Sequence, residues 1–389
     1  MDSVIPIDVL IVGSGPAGMS TALHLVRSDP AWSGRLLVLE KAVHPREKPC
    51  GGGLTHFGQR VLQKLDLTLN LPDFAVHEVR LTYQGQRYSL YGDPVFRIVH
   101  REAFDYWLVQ CGMKRGITVR QGEGVRAVAL REDHWEVSTD QTVFQARVLV
   151  GADGVHSLVR GQLNGKEKPR LARILEVLTP EEAGRHPLFK EKAALFDFTR
   201  LPEGLQGYYW EFPSWVKGQG VMNRGVFDSR TCRRRPKTDL KGYLEKRLKA
   251  EGRSLTDFPL KAHPIHPYDR RTRISGPRTI LVGDAAGVDP LMGEGISFAL
   301  AYGEPAAQAI QEAFARQDFS FADYRRRLEQ TPLFRHLLFR RWVARIVYCL
   351  PYPWMLRLSW LIAKSGLAMA LRIRPGLLPV VLPRSARPA

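Results

Sequence analysis

Cysteine is scarce in this 389-residue chain: Cys50, Cys111, Cys232 and Cys349 stand far apart, with no C-x-x-C pair. That excludes a clustered zinc or iron–sulfur site and a disulfide-dense secreted scaffold. Long apolar runs are missing from the C-terminal region. Its longest uncharged stretch, the 11 residues between Arg345 and Arg357, is broken by Pro351 and Pro353, whereas a membrane-spanning helix needs about 20 apolar residues. No basic segment precedes the first apolar residues, which Asp2 and Asp8 bracket, so no signal peptide is read and the chain is expected in the cytoplasm. Carboxylates are few as well. Only 39 Asp and Glu face 57 Lys and Arg, a formal net charge of +18, and such an excess points to an anionic partner. No internal repeats appear, and 44% hydrophobic with 25% charged residues excludes a disordered or fibrous chain. At roughly 150 residues per domain, two or three domains are expected.

The charge is uneven. Residues 320–389 hold 13 Lys and Arg against Asp323 and Glu329, a net of +11, interleaved with Trp342, Tyr348, Tyr352, Trp354 and Trp360. Basic residues mixed with aromatic and aliphatic ones describe a segment lying in a membrane interface. The expectation is therefore peripheral contact with the anionic inner face of a membrane. A helical subdomain packed on the core with a solvated basic face is the alternative, and no nucleic-acid partner is expected.

The N-terminus carries the most specific pattern. Ile7-Asp-Val-Leu-Ile-Val12 suits a buried parallel strand. It leads into Gly13-Ser-Gly15-Pro16-Ala17-Gly18 and a helical stretch, and a second strand, Leu36-Leu-Val-Leu39, ends at Glu40. This is a βαβ unit with G-x-G-x-x-G at its first turn and an acid 22 positions after Gly18. Gly13 allows the tight turn, Gly15 lets backbone approach a pyrophosphate, and Gly18 permits close helix–strand packing. The helix N-terminus offers free N–H groups to phosphate, and Glu40 can accept from ribose hydroxyls.

Two later segments repeat a strand followed by a glycine/aspartate turn: Arg147-Val-Leu-Val-Gly151-Ala-Asp153-Gly154, and Arg278-Thr-Ile-Leu-Val-Gly283-Asp284, which runs on to Gly293-Glu-Gly295-Ile296. With Arg101-Glu-Ala-Phe104-Asp105, these resemble the fingerprints of the flavoprotein hydroxylase (glutathione reductase type 2) superfamily from Ile7 to about Tyr302. The resemblance implies FAD. It assigns Asp284 to the ribitol or ribose side, the backbone of Gly293, Gly295 and Ile296 to the flavin ring, and Arg101 to the phosphate side. It extends the cofactor set to Pro16, Ala17, Lys41, Cys50, Gly51, Gly52, Val125, Asp153, Gly154 and Gly283. No second G-x-G-x-x-G unit exists, so a separate nicotinamide domain is not expected. NADPH and a ferredoxin-like reductant both stay open as electron donors.

A narrower resemblance comes from Lys48-Pro49-Cys50-Gly51-Gly52-Gly53 and from Tyr208-Tyr-Trp210-Glu-Phe212-Pro213 followed by Gly218-Gln-Gly220. These are similar to the P-C-G-G and Y-x-W-x-F-P…G-x-G motifs of the geranylgeranyl reductase family, flavoenzymes that saturate isolated double bonds of prenyl chains in membrane lipids, quinones or chlorophyll precursors. Only four residues separate Pro213 from Gly218, fewer than in the archaeal lipid reductases. Read as residues alone, Tyr208, Trp210 and Phe212 share one face of a strand. That face is either the aromatic wall of an apolar tunnel, able to stabilise a developing cation, or a plain core face. Cys50 is a proton donor, a residue packed on the flavin ring, or a structural buried thiol. His263 and His266 read as a loop pair without metal-ligand company. Arg233-Arg-Arg235 and Arg270-Arg-Thr-Arg273 read as solvated faces or contacts to lipid headgroups or pyrophosphate.

The expected architecture is α/β: a Rossmann-like FAD-binding domain from 1–75, 98–165 and 274–316, an inserted antiparallel-sheet substrate domain from 76–97 and 166–273, and a basic helical region from 317–389. Three functions compete. The favoured one is an FAD-dependent reductase of a prenylated lipid, quinone or chlorophyll-type precursor. The second is a class A flavin monooxygenase acting on a hydrophobic substrate, and the third a non-catalytic flavin-binding or electron-carrying membrane protein. Oligomeric state is not legible.

Overall fold

A computed structural model describes residues 4–165, 170–349 and 380–381. Two sheets carry the chain. In the first, five parallel strands run in the order Thr279–Leu281, Val143–Gly151, Ile5–Val12, Leu36–Glu40, Thr118–Gln121. Val9 to Val12 and all of Leu36–Glu40 are buried, which is why both read as uninterrupted apolar runs. The antiparallel hairpin Val125–Leu130 and Trp135–Thr139 joins the free edge of Val143–Gly151. The helices Pro16–Ser28, Gly303–Arg316 and Arg101–Met113 pack together against the parallel strands.

The second sheet has the order Lys261–Ile265, Ala172–Pro180, Gln219–Asp228, Gly207–Val216, Ala193–Asp197, Asp73–Tyr83, Gln86–Val99, Val380–Val381. It is antiparallel except where Ala193–Asp197 runs parallel to Asp73–Tyr83. Gly53–Thr55 also pairs with Gln86–Val99, so a short piece of the N-terminal segment enters this sheet. Residues Gly207 to Ser214 are all buried, because both faces of their strand are covered. Tyr209 packs with Leu244 and Leu248 of the helix Leu240–Ala250, and the alternate residues turn the other way.

The C-terminal region starts with the helices Tyr324–Glu329 and Pro332–Cys349. The second of these docks through its inner face. Arg340 reaches Asp289 at 2.5 Å and Glu294 at 2.8 Å, and the Tyr348 hydroxyl donates to the Leu291 carbonyl at 2.6 Å. On its outer face Phe339 and Trp342 are each 62% exposed, with Arg335 and Arg345 beside them. Among the described residues, no helix is long and apolar enough to cross a membrane. The region is not wholly helical: Val380–Val381 forms an edge strand on Gly92 and Tyr91. Tyr352, Trp354 and Trp360 lie outside the described residues.

Two glycines with different surroundings test this packing. A Cβ on Gly18 would collide with the Gly13 carbonyl oxygen, a rigid obstacle, whereas one on Gly112 would meet the flexible end of Met19. Gly18→Ala is expected to abolish soluble, folded protein. Gly112→Ala gains up to about 1 kcal/mol of helix propensity against a modest clash, so its melting temperature should stay within a few degrees of the parent. Thermal denaturation of both variants checks the contrast.

Candidate functional site

The parallel strands end at a cavity of about 390 Å³ between the two sheets, and the three glycine turns open onto it. At the first turn Gly13 has φ 105°, and a Cβ there would press on the Ala152 carbonyl oxygen. Gly15 is different. Its backbone is extended, and among the described residues the only atom near an added Cβ is Nη2 of Arg46 at 3.7 Å. The space before the helix Pro16–Ser28 is therefore open, with a guanidinium facing it. Nη2 of Arg46 lies 3.3 Å from Asp105 and its Nε 3.6 Å from Glu40, and the buried Nε has no hydrogen-bond partner.

Glu40 is buried at the end of its strand. Its carboxylate accepts from the Ser14 amide (3.1 Å), the Ser14 hydroxyl (2.8 Å) and the Ala42 amide (3.1 Å). Burial works against ionisation, but Arg46 and these donors outweigh it and hold the carboxyl below its ordinary range. A carboxylate has about four acceptor positions, so one remains open beside these three donors. Lys41 is exposed, and Val125 opens its strand next to Gly124, where a Cβ would lie 3.5 Å from Lys41. Both sit beyond Glu40, outside the cavity wall.

Around the middle of the cavity, Arg101 forms a bidentate pair with Asp105 at 2.8 and 2.7 Å and faces the Cys50 thiol. Burial raises the Cys50 thiol, and Arg101 opposes that rise only in part, so the sulfur keeps its proton. Lys48 also lines the cavity. Its burial favours the neutral amine, against the pull of Asp284. Gly154 and Asp284 line the wall, as do Pro16 and Ala17 of the first helix. Asp153 does not. It caps the helix Leu158–Asn164, accepting from Leu158 (2.7 Å) and Val159 (3.2 Å), and burial raises its carboxyl. Gly283, at φ 60°, brings its turn onto Ala17, and Gly293, at φ 67°, comes against the Phe227 ring. Gly293, Gly295 and Ile296 then form one edge of the cavity.

The opposite wall is aromatic. Tyr208, Trp210 and Phe212 all line the cavity, with ring centroids 6.1 Å (Tyr208–Trp210) and 6.0 Å (Trp210–Phe212) apart. An apolar arm continues past them along Phe96, Phe196, Val79, Leu81, Leu90 and Val95. The Tyr208 hydroxyl donates to the Met292 carbonyl at 2.5 Å, and burial pushes it far above the ordinary phenol range, so it is no acid at neutral pH. The turn and the wall touch. A Cβ on Gly51 would stand 3.1 Å from the Phe212 ring and 3.6 Å from Nε1 of Trp210. The indole N–H donates to Asn223 at 2.9 Å, and Asn223 donates to the Cys50 carbonyl at 3.1 Å.

Of the residues singled out in the sequence, Gly15, Pro16, Ala17, Cys50, Gly51, Gly52, Arg101, Gly154, Asp284, Gly293, Gly295, Ile296, Tyr208, Trp210 and Phe212 meet at this one cavity. Gly13, Gly18 and Gly283 shape its turns from behind, and Glu40 holds the first turn through Ser14. Sequence reasoning missed Arg46, Glu176, Asn223 and Arg340, each of which acts through partners distant in the chain. It also placed His263 in a loop, whereas His263 lies in the strand Lys261–Ile265 and lines the cavity. His266 bonds the Asp284 carbonyl at 3.0 Å. A lone Glu in the apolar run Ala172–Pro180 was the one available signal for Glu176.

Comparison with known proteins fits this geometry. The family described as "FAD binding domain" matches residues 6–301. A menaquinone reductase of Mycolicibacterium smegmatis is 30% identical over 78% of this chain and 76% of its own length. A digeranylgeranylglycerophospholipid reductase of Thermoplasma acidophilum is 26% identical over 87% and 86%. The crystal structure of a geranylgeranyl bacteriochlorophyll reductase-like protein of that organism superposes with a TM-score of 0.74 at 22% identity, covering 92% of this chain and 91% of that one. A Pseudomonas aeruginosa protein described as a probable FAD-dependent monooxygenase shares the fold at 19% identity, with a TM-score of 0.63 over 88% of this chain and 97% of its own.

The open space at Gly15 makes the first turn directly testable. Gly15→Val occupies that space without meeting protein backbone, so the variant should fold with a near-parental melting temperature and lose its bound FAD. A variant that kept full flavin absorbance after purification would refute the assignment of this turn to the pyrophosphate.

Proposed function

Because the chain belongs to the FAD binding domain family and is similar to menaquinone and digeranylgeranylglycerophospholipid reductases, we propose that it hydrogenates isolated C=C bonds of a prenyl chain. The observation that carries this reading is the contact between the Cys50–Gly52 turn and the face formed by Trp210 and Phe212. Bound FAD supplies the hydride. The residues around Gly15, with Arg46 and Glu40, would hold its phosphates and ribose, and the Asp284 and Gly293–Ile296 turns its ribitol and ring. NADPH or a ferredoxin-like protein would reduce it.

The protein's own part follows from the site. The apolar arm from Phe212 to Val95 accepts prenyl units and excludes water. Cys50 holds its proton at Sγ, since burial disfavours the thiolate, and Arg101 beside it stabilises the anion left once that proton is given to carbon. The ring faces of Trp210 and Phe212 then lie where positive charge develops on the protonated alkene. Tyr208 contributes its face only, because its hydroxyl proton is committed to Met292. A division of the chain into an FAD domain and a substrate domain, each centred on one sheet, belongs to the same proposal.

The second reading, a monooxygenase on a hydrophobic substrate, draws on the shared fold of the Pseudomonas protein. One anaerobic assay separates the two. Dithionite-reduced protein is mixed with a prenyl diphosphate or menaquinone, and the products are analysed by mass. The reductase reading expects added hydrogen pairs without oxygen, and Trp210→Ala should lower kcat by about 10²-fold while FAD stays bound, as for an interaction made in the transition state. Product formed only in air and carrying one extra oxygen would replace it with the monooxygenase.

Peripheral membrane contact is part of this proposal, since prenylated lipids and quinones reside in bilayers. Phe339 and Trp342 on the outer face of Pro332–Cys349, flanked by Arg335 and Arg345, supply both insertion and headgroup attraction. Each basic residue contributes about 1 kcal/mol near an anionic surface, and salt weakens that share. In liposome sedimentation the protein should bind anionic vesicles at low salt. The double variant Phe339→Ser, Trp342→Ser should lose the salt-resistant fraction, and a parent protein that ignored such vesicles would remove the membrane from the reading.

A further inference from the structure

We propose that Glu176 is the proton store of this site, holding a proton behind the Cys50–Gly52 turn and returning it to the Cys50 thiol after each hydrogenation. The inference rests on the prenyl-reductase reading. Glu176 lies in the middle of the strand Ala172–Pro180, is 2% exposed, and accepts the Cys50 amide proton on Oε1 at 2.8 Å. Its second oxygen is buried and, among the described residues, makes no close hydrogen bond. It shares a strand face with Ile174, which lines the cavity. Across the sheet it stands opposite Lys261 on one side and Gly225 on the other. A Cβ at Gly225 would run into the Trp210 ring, so the indole lies over that gap.

The groups facing Glu176 come from each element packed on it: Lys261 from the neighbouring strand, Arg101 from its helix, Cys50 from the turn, and the Asn223 carboxamide. Burial lifts the carboxyl to about 7, against the pull of the Cys50 amide, Asn223, Lys261 and Arg101. Asp105 and Glu40 are poor proton stores, because Asp105 is clamped by Arg101 and Glu40 by Arg46 and Ser14.

The chemistry balances. Hydrogenation adds a hydride to one alkene carbon, both electrons arriving with it from reduced flavin, and a proton to the other. The S–H bond of Cys50 breaks as the second C–H bond forms, leaving a thiolate beside Arg101. The O–H bond of Glu176 then breaks to restore the thiol, and water reprotonates the carboxylate. Neither residue changes oxidation state.

The test is Glu176→Gln, which keeps an oxygen for the Cys50 amide but holds no acidic proton. The first readout is infrared difference spectroscopy on the FAD-bound protein. The parent should show a protonated-carboxyl C=O band that disappears as pH rises through about 7, and the variant should lack it. The second is the anaerobic reaction with a prenyl substrate. Since the store works only when protonated, the parent's steady-state rate should fall as pH rises through about 7. The variant should lose that limb and about 10²-fold in steady-state rate, yet keep a near-parental first turnover, which draws on the proton already on sulfur. A band that survives Glu176→Gln, or a hydrogenating variant with the parental pH profile, overturns the role of Glu176 alone. A parent that shows the band but hydrogenates no prenyl substrate overturns the reductase reading and this role with it.

Discussion

Cys50 is held by both ends of its peptide unit. Its N–H goes to Glu176 and its C=O receives Asn223, which also takes the indole N–H of Trp210. Two residues on, Gly52 is fixed to the other side of the same sheet. Its carbonyl accepts from Val99 at 2.9 Å, and at φ 78° any side chain would strike the Val99 carbonyl. The turn leaving the first sheet is thereby stapled to the second. Everything proposed for the cavity depends on that staple, because a thiol and an aromatic face on separate elements cooperate only if neither can shift by an ångström. Buried hydrogen bonds of this kind are costly to leave half made, so the network is satisfied together or lost together.

The +18 charge also has an interior part. Arg46, Arg101, Lys48 and Arg340 all reach the cavity or its rim, and carboxylates back three of them at close range: Asp105 and Glu40 behind Arg46, Asp105 behind Arg101, and Asp289 and Glu294 behind Arg340. Backed cations of this type stay charged in a desolvated place, which a bare lysine does not. Lys48 is the contrast, with its amine shifted toward neutrality by burial. The same logic ties the C-terminal helix to the turn that follows Asp289. Asp289 accepts from the Leu291 and Met292 amides while pairing with Arg340, so the turn and the helix share one carboxylate. A composition count assigns these charges to the surface, but part of the excess lines the cavity and its rim.

What could be read in the sequence was local. The turn at Gly13 to Gly18 lies between a strand and a helix within one short stretch, and its glycines have reasons that need only near neighbours. The alternation in Tyr208-Tyr-Trp210-Glu-Phe212 separated the two faces of a strand, since the period of two holds wherever the strand runs. The partners of those faces were not legible. Asn223 and Glu176 are ordinary residues until the register sets Trp210 against Gly225 and Gly225 against Glu176. Asp153 shows the same limit: its neighbourhood resembles a cofactor turn, and one of its carboxylate oxygens caps the helix that follows. The C-terminal region was read from composition alone, which describes a face and not a path, so the edge strand at Val380–Val381 could not be foreseen.

In the proposed hydrogenation, the arrangement would divide the labour of adding hydrogen to an unactivated alkene. Protonating such a bond in water is slow because solvent does not hold an acid against one carbon, and an apolar wall alone offers no acid at all. On that proposal the strand side would provide only ring faces, since the one hydroxyl among them is bonded to a backbone carbonyl, and the turn side would provide the proton. Burial serves both sides. It keeps the Cys50 sulfur protonated until a base as weak as an alkene is in place, and it strengthens the attraction of the aromatic faces for a developing cation by removing competing water. A more exposed thiol would ionise earlier and lose its proton to solvent, and a wetter wall would screen the charge it is meant to stabilise. The low polarity of the cavity is thus part of the chemistry and not only a fit to an apolar chain.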